Sequence, residues 1–397
     1  MRKNRILTAS MSTAAVLALA LTACSNPTAP DAGDAGGAAK GKVVLGAPLA
    51  LTGPSGSIGL DIQRGAELAV EQLNASGGIA GHQVELRVQD TTGDPAQAVQ
   101  VTTSMARDED VIAILGPVNA AELGAVTSIG ESQKIVLFPP ASSGAVPGVD
   151  NGQFNDWTFR VNQAIPLVVG PQMDSVIEET KAEKVTVLHY DDNAAYVDTG
   201  ERWEAAAQAD GATVTRLKFP STTQDFSATV TSIPADTELI AIGALPATDA
   251  QLVRAIRQAG IEAPIMGDAS MLSSEVFKGS RGGSEGAFAY SAYLPDQSDT
   301  SKKFTKDFAA KYDVDATAIN AYGFDAVMMI AAGAGDGELS RESIRKGLGT
   351  LSDYEGASGD ISYDGSGDAV RKSVPLVQIG DDGSLSQVGE IVPAEDY

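Results

Sequence analysis

Two α/β lobes, each a parallel sheet covered by helices on both faces, are the fold this sequence predicts. Strand-like apolar runs alternate with segments of helical period along the chain. The alternation restarts after Arg160. Residues 42–397 also exceed what one hydrophobic core supports, so two lobes are the default.

Val43 to Ala47 opens as a short apolar run, and Asp61 to Ser76 carries Ile62, Ala66, Ala69, Val70 and Leu73 on one helical face. Gly77-Gly78 ends that helix, as glycine at a helix C-terminus should. Val84, Leu86 and Val88 alternate as a strand. Asp94-Pro95 is an N-cap with proline in the first helical position, and Val99, Thr102 and Met105 continue the helix. Val111 to Leu115 is wholly apolar, as a strand buried on both faces would be. A helix from about Ala120 and a strand from Ile135 to Phe138 complete βαβαβαβ.

After Arg160 come a helix from Pro166 to Lys181, a strand from Val185 to His189 and a helix from Asp198 to Ala209. Strands follow at Thr213 to Phe219 and Leu239 to Ile242, then a helix from Ala247 to Ala259 closed by Gly260. Pro264 to Met266 and Ala287 to Ala292 read as strands. Helices Lys302 to Tyr312, Ile319 to Ala332 and Arg341 to Leu348 close the pattern. Ligands bind beyond the carboxyl ends of the strands in open α/β sheets, so facing lobes place a site in the cleft between them.

Residues 1–24 carry an address. Arg2, Lys3 and Arg5 precede an uncharged apolar stretch from Ile6 to Leu21 that ends in Leu21-Thr22-Ala23-Cys24. This is the pattern of a secretory signal, too short and alanine-rich for a permanent membrane span. The cut site resembles a bacterial lipobox, with Cys24 diacylated as the mature N-terminus. Acyl chains contribute about 0.8 kcal/mol per buried methylene, and two chains anchor stably. The alternative is an ordinary secretory leader with a chance cysteine. From Ser25 to about Gly41 the chain is Gly, Ala, Pro, Asp and Thr and reads as a flexible tether.

Cys24 is the single cysteine, so no intramolecular disulfide can form and cysteine-based zinc sites are excluded. The two histidines, His82 and His189, lie far apart at strand edges and read as structural or solvated. Formal net charge is −24, and loss of Arg2, Lys3 and Arg5 with the leader makes the mature form more acidic still. Such acidity argues against nucleic acid and against a basic membrane-surface patch. The sequence shows no P-loop, no HExxH, no metal cluster and no GxSxG elbow, and Asp191-Asp192 reads as a cap for the next helix. The expectation is a binding protein rather than an enzyme, with no cofactor and no metal.

The stretch GAPLALTGPSGSIGLDIQRGAELAVEQLNASGGIAGHQVELRVQDTTGDPAQAV, Gly46 to Val99, resembles the start of the Leu/Ile/Val-binding protein family of ABC-transporter receptors. Further matches are ILGP from Ile114 to Pro117, Phe159-Arg160, VLHYDDNAAY from Val187 to Tyr196 and TTQDFSATV from Thr222 to Val230. The resemblance runs from about Lys42 to beyond Asp364. It implies a type I periplasmic-binding-protein fold with a three-strand hinge near Arg160, Tyr293 and Ser362. The lobes would be 42–160 with 294–361, and 161–293 with 362–397, after a 1–23 signal peptide and a 24–41 tether. It also implies a monomer that closes around one small amino acid, branched-chain in the parent family, and docks on an ABC permease at the extracytoplasmic membrane face.

The resemblance places the ligand residue by residue. Ser57 and Ile58 match the pocket-lining loop after the first strand. Asn119, Ala120 and Ala121 stand where the family supplies a hydroxyl to the ligand carboxylate, and the alanines offer none. Asn119 is either a side-chain donor or a helix cap. Ala141 and Ser142, in FPPASSGA, match the small residue and hydroxyl that hold ammonium and carboxylate; a turn serine is the alternative reading of Ser142. Tyr196 matches a tyrosine that closes over the ligand and suits an ammonium by cation–π attraction, unless it is a core tyrosine. Leu245 replaces an aromatic. Asp268, in MGD, matches an acid for the ligand's amino group, with a one-residue offset onto Ala269 the alternative. Glu122 either faces the cleft or is a surface glutamate in a helix's first turn. These departures leave open an amide, a urea-like compound or another small polar ligand, and a signalling rather than a transport receptor.

Overall fold

The computed structural model describes residues 41–53, 55–140, 156–363 and 367–395. Cys24, Ala141 and Ser142 lie outside the described residues.

The first sheet is assembled from strands β1 (Lys42–Leu49), β2 (Gln83–Asp90), β3 (Val111–Ile114) and β4 (Val136–Leu137), all parallel in the order β2-β1-β3-β4. The connections are helices α1 (Gly56–Ala75), α2 (Pro95–Arg107) and α3 (Ala120–Gln133). All four residues of β3 are buried, as its unbroken apolar run requires. Asp94 caps α2, accepting from the Gln97 N–H at 2.8 Å ahead of Pro95.

Helix α4 (Ile165–Thr180) leads into the second unit of strands: β5 (Lys184–Tyr190), β6 (Thr213–Phe219), β7 (Leu239–Gly243), β8 (Ile265–Gly267) and β9 (Phe288–Tyr290). Helices α5 (Ala194–Ala209), α6 (Ser227–Thr231), α7 (Pro246–Gln258), a 3₁₀ turn (Ala269–Leu272) and α8 (Ser274–Ser280) lie between them. The chain then returns to the first core with α9 (Asp299–Tyr312), α10 (Ala318–Ala334) and α11 (Arg341–Gly349). A short hairpin, β10 (Tyr354–Gly356) and β11 (Gly359–Ile361), precedes the final strands β12 (Val374–Ile379) and β13 (Leu385–Ile391).

Helices α1 and α10 cover one face of the first sheet and α2 and α3 the other, each over its own apolar cluster. Glycines let α1 and α10 cross at backbone contact. A Cβ on Gly65 would lie 1.9 Å from the Asn320 carbonyl oxygen, and one on Gly323 2.3 Å from that of Ile62. The second sheet is likewise buried on both faces, by a cluster around Trp203 and another around Leu252 and Ile256.

The second sheet differs from the purely parallel expectation. Its order is β13-β12-β9-β8-β7-β5-β6, and β12 pairs antiparallel with both β9 and β13. The closing hairpin turns at Asp381-Asp382-Gly383, with Gly383 at φ 84°. Two helices also start earlier than expected: α1 at Gly56, where Gly56, Ser57 and Gly59 in the first turn give no apolar period, and α5 at Ala194, where Asn193 caps the helix by accepting from the Ala195 N–H at 3.1 Å. Where the two cores meet, Arg160 is buried and paired with Asp368, and its carbonyl accepts from the Tyr363 hydroxyl at 2.9 Å.

Candidate functional site

Strand order locates the site. β1 lies between β2 and β3, and β5 between β6 and β7, so each sheet has a topological switch point there. The loops leaving the carboxyl ends of these strands open the crevices that such sheets use for ligands.

At the first sheet, Asp90 ties two of these loops together. Its carboxylate accepts from the Leu51 N–H at 2.9 Å, the Thr52 hydroxyl at 2.7 Å and the Thr92 N–H at 2.8 Å. Burial alone would raise its pKa, but these bonds outweigh burial and hold the carboxyl below its usual range. Ser57 and Ile58 fall in the first turn of α1 rather than in the loop, with Ser57 exposed and Ile58 packed on the first core. The reason is Gly59: a Cβ there would sit 1.9 Å from the Ala50 carbonyl oxygen, so only glycine lets the helix begin this close to β1.

Asn119 is a helix cap. Its side-chain oxygen accepts from the Glu122 N–H at 2.9 Å, and its amide donates to Glu122 Oε2 at 2.7 Å. One amide N–H is left over for another partner. Glu122 is fully buried, not the surface glutamate of the plainer expectation, because the capping box folds it back. Burial pushes its carboxyl above the usual range, against the hydrogen bond from the Asn119 backbone N–H. Ala120 is half-buried and Ala121 exposed in the first turn of α3.

At the second sheet the groups converge more tightly. Tyr196, half-buried in the first turn of α5, meets Tyr190 edge-on with ring centroids 5.4 Å apart. The Tyr190 hydroxyl donates to Thr248 at 2.6 Å. Asp268 follows β8, is 5% exposed, and accepts from the Ser270 N–H at 2.8 Å. Burial is the main force raising the Tyr196 and Tyr290 hydroxyls well above their usual range, and the Asp268 carboxylate adds to it at both. Tyr322, from α10 of the other core, also acts on Tyr290. The pairing of Met266 with Phe288 sets Tyr290 beside Asp268 at the ends of β8 and β9, and the Tyr196 ring lies against Gly243 at the end of neighbouring β7. Leu245 stands at the N-cap of α7 with 46% of its surface exposed.

Sequence reasoning missed Asp249 and Tyr290. Asp249 reads as a common first-turn acid of α7, yet it is fully buried and its Oδ2 lies 2.7 Å from the Ser270 hydroxyl oxygen. Only the tertiary packing of α7 reveals it. His189 is buried at the end of β5 with Nδ1 2.7 Å from the Tyr190 carbonyl oxygen, and burial holds its pKa below the usual range. Among the described residues no cluster of metal-ligating side chains occurs, and no helix is long and apolar enough to cross a membrane.

Comparison with known proteins agrees with this architecture. A Leu/Ile/Val-binding protein homolog from Brucella melitensis is 27% identical, over 88% of this chain and 94% of that protein. The crystal structure of a leucine binding protein from Thermotoga maritima superposes with a TM-score of 0.78 at 26% identity, over 88% of this chain and 99% of that one. A branched-chain amino acid transporter substrate binding protein from Streptococcus pneumoniae, solved with isoleucine, shares the fold with a TM-score of 0.79 at 22% identity, over 88% of this chain and 99% of that one. The family model described as Periplasmic binding protein matches residues 42–384, and the chain belongs to that family.

Proposed function

We propose that this protein is the extracytoplasmic receptor of an ABC importer and captures a small amino acid in the cleft between its lobes. The observation that carries the reading is the convergence of Asp268, Tyr196 and Tyr290 beyond the carboxyl ends of the second sheet. A carboxylate flanked by aromatic rings suits an ammonium group, by charge and by cation–π attraction. Across the cleft, Asn119, Ser142 and the backbone N–H groups of Ala120 and Ala121 would serve the ligand's carboxylate. The lobes we assign are 42–160 with 294–361, and 161–293 with 362–397. Ligand binding favours the closed form by its higher affinity for that form, and the closed form engages the permease.

Leucine, isoleucine and valine head the expected ligands, since the relatives above carry those names. A thermal-shift screen of amino acids, amides, ureas and small carboxylates on residues 42–397 tests this. A ligand at 100 times its Kd should stabilise the fold by about 2.7 kcal/mol, a clear rise in melting temperature. If amides or ureas shift it and amino acids do not, the amino-acid reading falls.

Residues 1–23 act as a lipoprotein signal in this reading, and acylated Cys24 holds the domain at the membrane through the 24–41 tether. Cys24→Ser should move the protein from the membrane fraction to the soluble one in its native host. Retention in the membrane fraction would refute the anchor.

A further inference from the structure

Asp249 and Asp268 both lie buried at the carboxyl end of the second sheet, and both are held by one residue, Ser270. The Ser270 N–H donates to Asp268 Oδ1 at 2.8 Å, a bond that suits an ionised carboxylate. The Ser270 hydroxyl lies 2.7 Å from Asp249 Oδ2 and 3.1 Å from the Ala244 carbonyl oxygen. Two acceptors thus face a hydroxyl with a single proton to give. The geometry closes if Asp249 is itself protonated. It then donates to Ser270 Oγ, and Ser270 donates to Ala244.

The surroundings favour the same state. Asp249 is fully buried, its Oδ1 has no hydrogen-bond partner, and among the described residues neither carboxylate has an ion-pair partner. The groups facing the pair from neighbouring elements are Asp268 itself, the Ser270 hydroxyl, and the Tyr196 and Tyr290 phenols, none of them cationic. Two carboxylates in one buried site do not both ionise. Burial, and then the Asp268 charge, push the Asp249 carboxyl well above its usual range.

We propose that Asp249 holds a proton in the ligand-free protein and releases it to solvent when a ligand's ammonium group settles beside Asp268. The proton leaves Asp249 Oδ2, no other bond changes, and the ammonium becomes the counter-charge of the pair. Asp249 is thus a positioning residue that makes amino-acid capture proton-linked. The linkage rests on the amino-acid reading above, whereas the protonation of Asp249 does not.

Two measurements on residues 42–397 test the two halves separately. The infrared difference spectrum of ligand-free wild type against Asp249→Asn at neutral pH should contain the carbonyl stretch of a protonated carboxylic acid. Its absence would overturn the proposal. Calorimetric titration with L-leucine in two mildly acidic buffers of different ionisation heat should show release of about one proton per leucine, with affinity rising about tenfold per pH unit in that window. Asp249→Asn should bind with no proton release and no pH slope. Binding by wild type without proton release overturns the linkage and leaves the receptor reading intact. No heat with leucine or any other amino acid sinks the amino-acid reading and the linkage together, while the infrared band still decides where the proton sits.

Discussion

Asp325→Ala should destabilise the protein by about 3–5 kcal/mol, the range seen when one partner of a buried charge pair is removed. Asp325 on α10 is 1% exposed and accepts from the Ala357 N–H at 2.7 Å, the Ser358 N–H at 2.8 Å and the Ser358 hydroxyl at 2.5 Å. Burial pushes this carboxyl up most strongly, against those three bonds and the charge of buried Arg371. Arg371 in turn donates to the Val161 carbonyl at 3.0 Å and the Ser358 hydroxyl at 3.1 Å, so the pair joins three separate stretches of chain where the cores meet. Alanine leaves the three donors without their acceptor and removes the negative charge that acts on the buried guanidinium, which keeps its own bonds to Val161 and Ser358. Urea unfolding of residues 42–397 reads the loss. Arg371→Met should cost a similar amount, and the double variant clearly less than the sum, because either change alone strands a charge. Additive losses would show that the two side chains act independently.

Much of this architecture is legible in the sequence because its signals are local. Asp94-Pro95 and Gly77-Gly78 mark helix ends by backbone chemistry that depends on no distant partner. The buried run at β3 announces a central strand. What escapes is set by contacts far along the chain. β12 carries Pro375, which argues against a central strand, yet the strand pairs with both β9 and β13. The Pro375 carbonyl still accepts, from the Ser291 N–H at 3.1 Å. The candidate site divides in the same way. Tyr196 and Asp268 lie in short motifs, VLHYDDNAAY and MGD, that the family resemblance marks as candidates. Asp249 has no local signature, since a first-turn aspartate is ordinarily a solvated partner of the helix dipole. Its burial comes from the packing of α7 against α8 and the 3₁₀ turn, which no short window of sequence encodes.

Asp268→Asn should weaken L-leucine binding by about 2–5 kcal/mol, roughly 30-fold to several thousand-fold in Kd, with the fold intact. Asparagine keeps a side-chain oxygen for the Ser270 N–H, so the 3₁₀ turn at Ala269–Leu272 stays capped. The change removes only the negative charge that would meet the ligand's ammonium. Tyr196→Ala should cost less, about 2 kcal/mol, the scale of a desolvated cation–π contact, and Tyr196→Phe should recover most of it because the ring face remains. Asn119→Ala separates binding from capping on the opposite lobe. Its two bonds to Glu122 make it a stability residue first, so about 1 kcal/mol of unfolding free energy should go, with a smaller change in Kd. Calorimetric titration of the variants beside urea unfolding distinguishes these outcomes. Wild-type affinity in Asp268→Asn would remove Asp268 from the ammonium site and move the search to the adjacent position, Ala269, which is exposed and has no charge to offer. The ligand would then have to be one that needs no carboxylate partner, and the amides and ureas of the screen become the compounds to pursue.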